Sequence, residues 1–250
     1  MKITFLGTGT STGVPYIGCK CEVCTSTNPK DQRLRASVLV EVNGKNILID
    51  CGPDFRQQML LHPVDKLDAV LITHEHYDHV GGMDDLRPFK NVPVYAHERV
   101  CGIIKSNMPY CFNGKNYPGI PKMELHTIHR PYNSFYIDDV KVTPIHYYHA
   151  KLSVLGYRIG DFAYITDISS MPDDQMYKLS GVDTLVVDAL RQTPHFSHFS
   201  LEQAIEFAHR VGARPTYFTH CCHHIGLYDK VEETLPKGMS LAYDNLIIEI

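Results

Sequence analysis

His74-Glu75-His76-Tyr77-Asp78-His79 places three imidazoles and a carboxylate at alternating and adjacent positions of one turn-sized segment. Such a run is a ligand set for two metal ions, and it is far more specific than a lone histidine pair. The preceding Asp68-Ala-Val-Leu-Ile-Thr73 reads as a buried strand. The following Val80-Gly81-Gly82 lets the backbone turn tightly beneath the ligands. The ligands therefore belong at the carboxyl end of a strand, and the fold must bring further donors to that edge.

Working outward, strands are expected at Lys2 to Leu6, Ala36 to Val42 and Asn46 to Asp50, the last two joined by the hairpin signal Asn43-Gly44. A short helix follows Pro53-Asp54, and another is expected from His97 to Lys105. Antiparallel strands are expected at Ser134 to Ile137, Val140 to Ile145, Val154 to Ile159 and Phe162 to Thr166, then further strands at Thr184 to Asp188, Thr216 to Thr219 and Leu246 to Ile250. Ser200 and Gln203 form a capping box ahead of apolar Ala204, Ile205 and Ala208, and Gly212 follows the end of that helix. Two sheets with helices outside is the arrangement this order predicts.

The 250 residues are 44 % hydrophobic and 21 % charged, the balance of an ordinary globular chain, and no linker or low-complexity stretch divides them. One domain over residues 1–250 is expected. No apolar run reaches the ~20 residues of a membrane span, and no secretory leader pattern is evident, so the chain reads as cytoplasmic. A net charge of −4 gives no general attraction for phosphate backbones, which disfavours a broad nucleic-acid binder and favours a small substrate. Three of the eight cysteines crowd into Cys19-Lys-Cys21-Glu-Val-Cys24; bridging between them is awkward, and thiolate ligation of zinc is natural.

Further donors stand where apolar strands end. His146 or His149, Asp167 and His220 each follow such a strand. A carboxylate such as Asp167 can bridge two cations, the arrangement used to hydrolyse phosphoryl or acyl groups. With these residues in place, the chain resembles the metallo-β-lactamase superfamily over essentially its full length. The start Leu6-Gly-Thr-Gly-Thr-Ser-Thr-Gly-Val-Pro15, the cysteine cluster, His149-Ala-Lys-Leu-Ser153 with Gly156-Tyr157, and Thr219-His220 look like the cyclic phosphodiesterases of bacterial phosphonate degradation, which open phosphoribosyl 1,2-cyclic phosphate.

The resemblance implies a four-layer αββα sandwich and two divalent ions, manganese or zinc. One ion would take His74, His76, His149 and Asp167, and the other Asp78, His79, Asp167 and His220. It also implies one structural zinc on Cys19, Cys21 and Cys24, completed by His223; the neighbouring His224, Cys221 and Cys222 are competing donors in the sequence. Asp78 and His198 are the candidate catalytic residues. His198 lies two residues before the Ser200 cap, where an unliganded imidazole could protonate a leaving alkoxide.

Two other segments invite a reading. Gly7-Thr-Gly9-Thr-Ser-Thr-Gly13 mimics a nucleotide-binding turn, but Val14-Pro15 and the cysteines stand where the first helix would begin. A bend over the site is expected instead, with backbone N–H groups near a substrate phosphate. Lys105 to Lys122, carrying Met108, Tyr110, Phe112 and Tyr117, is a long loop or a flap.

The expected activity is hydrolysis of a small phosphodiester, with a homodimer possible and no membrane or nucleic-acid partner. Two alternatives share the ligand set. A ribonuclease Z-like nuclease would need a tRNA-gripping arm between the third His and the bridging Asp, and only 17 residues separate His149 from Asp167. A non-hydrolytic relative from quinone-cofactor biosynthesis shares the amino-terminal cysteines, but the full ligand set here argues against it.

Overall fold

In β1 (Lys2–Gly7), β2 (Ser37–Val42) and β3 (Lys45–Ile49) the period of two sends alternate side chains to opposite cores. Ile3, Phe5, Val38, Val40, Ile47 and Ile49 face inward, while Leu6, Leu39 and Leu48 face outward against helices. Both faces are buried, which is why these strands read as nearly continuous apolar runs. The computed structural model describes residues 1–114, 119–130 and 132–250.

The first sheet continues through β4 (Ala69–Leu71), β5 (Val92–His97) and β6 (Met123–Ile128), and β3 to β6 run parallel. The second holds β7 (Phe135–Ile137), β8 (Val140–His149), β9 (Leu152–Ile159), β10 (Phe162–Ile165), β11 (Thr184–Asp188), β12 (Thr216–Thr219) and β13 (Met239–Leu241). β7 to β10 are antiparallel neighbours and β10 to β13 are parallel. β14 (Ile247–Glu249) returns to pair with β1, giving the orders β14-β1-β2-β3-β4-β5-β6 and β13-β12-β11-β10-β9-β8-β7.

Between the sheets, Ile3 and Phe5 share a core with Tyr157, Phe162, Tyr164 and Val186 of the second sheet. Outside the first sheet pack α1 (Phe55–Leu61) and α3 (Glu98–Asn107). Outside the second pack α6 (Leu201–Val211) and α7 (Tyr228–Glu232). This is the four-layer αββα sandwich that the resemblance implied. Three shorter helices also occur among the described residues: α2 (Tyr77–Val80), α4 (Pro109–Phe112) and α5 (Asp173–Met176).

The Ser200 capping box forms as expected: the hydroxyl accepts from the Gln203 N–H and the Ser200 N–H donates to Gln203 Oε1 at 2.9 Å, with Gly212 left-handed at the far end. Three strands were not expected. β5 contains Pro93, which lowers the strand signal. β6 is an edge strand with polar alternation, and β13 has only three residues. β8 also runs four residues past the expected end, to His149, because the long pairing with β9 holds it to the turn. In the 105–122 segment the helix α3 extends to Asn107 and α4 follows. Tyr110 donates to Asp84 and Arg87 to the Gly119 carbonyl, tying this stretch to the body; Tyr117 lies outside the described residues.

Close approach of two turns positions the ligand run. A Cβ on Gly52 would lie 2.1 Å from the Asp78 carbonyl oxygen, and one on Gly82 would lie 2.0 Å from the Gly52 carbonyl oxygen. Glycine is thus required where the end of β3 passes under α2. Gly52→Ala is expected to lower unfolding stability by about 1–3 kcal/mol and to reduce bound metal, since the peptide of Asp78 must move. Gly102→Ala, inside α3 with nothing within 4 Å of the new carbon, should instead raise stability by up to ~1 kcal/mol. Denaturant midpoints and elemental metal analysis of the two variants check both outcomes.

Candidate metal centre

Because β8 and β10 both pair antiparallel with β9, and β10 to β12 are parallel, the carboxyl ends of β8, β10, β11 and β12 open on one edge of the second sheet. β3 and β4 bring their ends to the same place from the first sheet; the Leu155 N–H donates to the Thr73 carbonyl, and the Tyr157 hydroxyl donates to the Ile72 carbonyl at 2.6 Å. His149 closes β8, Asp188 closes β11, Asp50 and His220 immediately follow β3 and β12, and Asp167 follows β10 by two residues. Asp50, Asp167 and His220 all adopt left-handed backbone, with φ of 62°, 55° and 59°. Non-glycine residues enter that region at a cost of about 1–3 kcal/mol each and cluster at functional sites. The sharp turn folds each side chain back over the strand ends.

The donors converge at one edge, and several of them have no hydrogen-bond partner. The Asp167 carboxylate lies 3.2 Å from His79 Nε2 and 3.3 Å from His220 Nε2, and Asp78 lies 3.3 and 3.5 Å from the same two nitrogens. Both nitrogens are buried with no hydrogen-bond partner. Buried polar atoms are left in this way when a further group completes them. His74 Nε2 is 2.9 Å from His76 Nδ1, and the His149 ring lies 5.8 and 5.2 Å from those of His74 and His76. The donor atoms of His74, His79 and Asp167 lie within 4.8 Å of one another, as do those of Asp78, His79 and His220. Imidazole and carboxylate donors at these separations fit zinc or manganese. His146 points elsewhere, stacking on Tyr132, so the choice left open in the sequence falls to His149.

The electrostatics fit the same group. Burial opposes charge on Asp167 and Asp78, yet Asp167 is held well below the usual carboxylate range by His220 and His79, and Asp78 is lowered by His79 and His220. Against its own burial, His79 is raised well above an ordinary imidazole by Asp78, Asp50 and Asp167. A proton on His79 is the positive charge that a cation would replace. Burial pushes His74 the other way, well below the ordinary value.

Two carboxylates escaped the sequence reading. Asp50, fully buried, accepts from the Thr73 N–H and hydroxyl and stands 2.7 Å from His79 Nδ1. Asp188, also fully buried, stands 3.0 Å from His198 Nδ1 and 3.7 Å from His220 Nδ1. A carboxylate on the far nitrogen fixes the tautomer and ring orientation of a ligating imidazole. The signal in the sequence was the acidic residue at the end of each apolar strand. Against burial, which disfavours its charge, His198 is raised to about 9 by Asp188. Glu75, the unassigned acid of the opening run, makes a two-pronged pair with Arg99 on α3 at 2.9 Å and so faces away from the cluster.

At the second cluster, His223 Nδ1 lies 3.3, 3.4 and 3.3 Å from the sulfurs of Cys19, Cys21 and Cys24. Three thiols equidistant from one ring nitrogen fit tetrahedral zinc. The ring of His224 lies 4.0 Å from that of His223, but its nitrogens are not among the donors grouped with the three sulfurs. The glycine-rich bend does pass the site, since the Cys221 N–H donates to the Thr8 carbonyl and the Thr10 N–H to the Cys221 carbonyl. The expected phosphate contact fails there for Gly9, Thr10 and Gly13, whose N–H groups donate to the carbonyls of Leu34, Cys221 and Thr10.

Residues 45–221 match the model of the beta-lactamase superfamily domain. The chain is 41 % identical over 251 residues to a Porphyromonas gingivalis protein named octanoyltransferase, covering 98 % of this chain and 51 % of that protein. It spans about half the length of the curated relatives it matches. A crystal structure described as a new diphosphatase from the PhnP family superposes with a TM-score of 0.92 at 40 % identity, covering 99 % of this chain and 96 % of the other. The Zn(2+)-bound PqqB of Methylobacterium extorquens shares the fold at 19 % identity and a TM-score of 0.74, with each chain fully covered.

Replacing Asp50 by Asn keeps the shape of the side chain while removing its charge from His79 Nδ1. Metal affinity is expected to fall about 10–100-fold, read by titration with a competing chelator, while the far-ultraviolet spectrum is unchanged. Cys21→Ser should lose one zinc per chain and lower the melting temperature, because a closed thiolate site contributes directly to folding. Unchanged zinc content and unchanged melting would exclude a metal at the cysteines.

Proposed function

The chain belongs to the metallo-β-lactamase superfamily, and from that premise we propose that it is a dinuclear metal-dependent hydrolase of small phosphodiesters, with phosphoribosyl 1,2-cyclic phosphate as the reference substrate. The observation that carries the reading is Asp167, whose carboxylate lies within 3.3 Å of His79 and His220 of one ligand set, while its donor atoms also group within 4.8 Å with those of His74 and of His149 from the other. In this reading His74, His76, His149 and Asp167 hold one divalent ion, Asp78, His79, Asp167 and His220 hold the other, and Cys19, Cys21, Cys24 and His223 hold a structural zinc. Zinc and manganese both suit the active-site donors. When bound, the pair of ions supplies Lewis acidity, activating water and neutralising charge on the phosphoryl oxygens.

The protein's own groups do the rest. Asp50 and Asp188 aim the rings of His79 and His198. His198, kept protonated by Asp188 at 3.0 Å, donates its proton to the departing alkoxide as the phosphorus–oxygen bond breaks. The diphosphatase described for the similar structure supports phosphoryl chemistry at such a site, and a phosphoanhydride would be attacked in the same way. The name octanoyltransferase belongs to a protein about twice as long. Cys221, the thiol beside His220, is a poor nucleophile for acyl transfer, because burial pushes it up to about 12.

The test is turnover of bis-p-nitrophenyl phosphate by protein loaded with manganese or zinc. Asp167→Ala should lose both ions and abolish turnover while remaining folded; two retained ions with continued turnover would sink the assignment. His198→Ala should retain the metals yet lose roughly 10²–10⁴ in rate on diesters with poor leaving groups. The loss should be much smaller with p-nitrophenolate, which needs little protonation. Equal losses on both substrates would mean that His198 positions the substrate and is not the general acid.

A further inference from the structure

The loop from Leu190 to Ser200 delivers His198, and it is built as a closed, bonded unit. The Leu190 N–H donates to the Phe199 carbonyl and the Phe199 N–H to the Ile168 carbonyl. The Arg191 guanidinium spans the loop, donating to the carbonyls of Thr193 and Pro194. The Ser197 N–H donates to His195 Nδ1. At the crest of this unit stands Phe196, 81 % exposed. Its ring lies 4.7 Å from that of His195, which lies 5.4 Å from that of His198, which in turn is 4.5 Å from that of His149. The phenyl group is thus two ring contacts from the imidazole on the leaving-group side. A loop held this firmly leaves a large apolar ring in water with no return from folding.

Resting on the phosphodiesterase reading above, we propose that Phe196 is the platform on which the base of a nucleotide stacks, so that this site binds nucleoside-bearing phosphoesters in preference to the bare cyclic sugar phosphate taken above as the reference substrate. An exposed aromatic face recognises any base by stacking, and the removal of such a ring costs about 1–3 kcal/mol per base, or roughly 5- to 150-fold in affinity. The phosphate end would sit at the donor cluster and the base would extend along the His198–His195–Phe196 row. Phe196 touches only the base, so it is a specificity residue and not a catalytic one.

Equilibrium binding of AMP and of ribose 5-phosphate to the metal-loaded protein tests this without relying on turnover. The wild type is expected to bind AMP at least about 10-fold more tightly than ribose 5-phosphate. Phe196→Ala and Phe196→Leu should abolish that preference by weakening AMP alone, while Phe196→Trp retains it, because stacking needs a ring and not merely apolar area. Equal wild-type affinity for the two ligands, or a preference that survives in Phe196→Ala, overturns the proposal. Failure of the wild type to hydrolyse bis-p-nitrophenyl phosphate overturns the hydrolase reading instead, and the AMP preference still reports on Phe196.

Discussion

A single buried carboxylate, Asp50, joins the three segments that create the ligand loop. It immediately follows β3, takes the Thr73 N–H and hydroxyl beyond β4, and meets His79 Nδ1 in α2 at 2.7 Å. Neither Asp50 nor His79 is exposed to solvent. A charge in such a place is tolerated only when paired and hydrogen-bonded, so the contacts that make Asp50 tolerable are the same ones that aim His79. Beneath them, Gly52 and Gly82 let the two turns approach more closely than any side chain would permit. The opening His-x-His-x-Asp-His run is therefore held from behind before any metal is considered.

Charge at this edge also explains why two sheets are needed. One loop does not enclose the cluster, and the second sheet supplies His149, Asp167, Asp188 and His220 at the ends of β8, β10, β11 and β12. Buried tyrosines couple the sheets to these loops: Tyr157 donates to the Ile72 carbonyl, and Tyr147 donates to the Thr166 carbonyl at 2.6 Å. Left-handed backbone at Asp50, Asp167 and His220 concentrates local strain at the same edge. The apolar strands on which these residues stand, packed on both faces, supply the stability that offsets it.

Beyond the cluster, the mouth is shaped by segments whose roles are separable. The amino-terminal bend is spliced to Cys221 and so sits beside His220, while the loop that carries His198 is closed by Arg191 and ends in the helix cap at Ser200. The cysteine cluster joins the bend near residue 20 to His223, three residues past the last histidine of the cluster. A zinc there would fasten the bend to the strand end that bears His220, which is why its removal is a matter of stability before it is one of chemistry.

Much of this was legible in the residues, because strand-end ligands announce themselves as His or Asp immediately after an apolar run. That pattern pointed to His74, Asp167 and His220 and left His146 and His149 as alternatives, and the capping box at Ser200 was local enough to be read directly. Edge and proline-containing strands such as β5 and β6 were not legible, since their stability comes from neighbours distant in sequence. Asp50 and Asp188 looked like ordinary strand-terminal acids, because what distinguishes them is complete burial against an imidazole from another segment. The sequence by itself determined the donor types and their periodic placement, which local spacing encodes. Only the tertiary structure decided that His223 and not His224 joins the cysteines, that Glu75 is turned away by Arg99, and that His149 and not His146 faces the cluster, because each choice is set by long-range packing that brings one of two nearby donors to a common point.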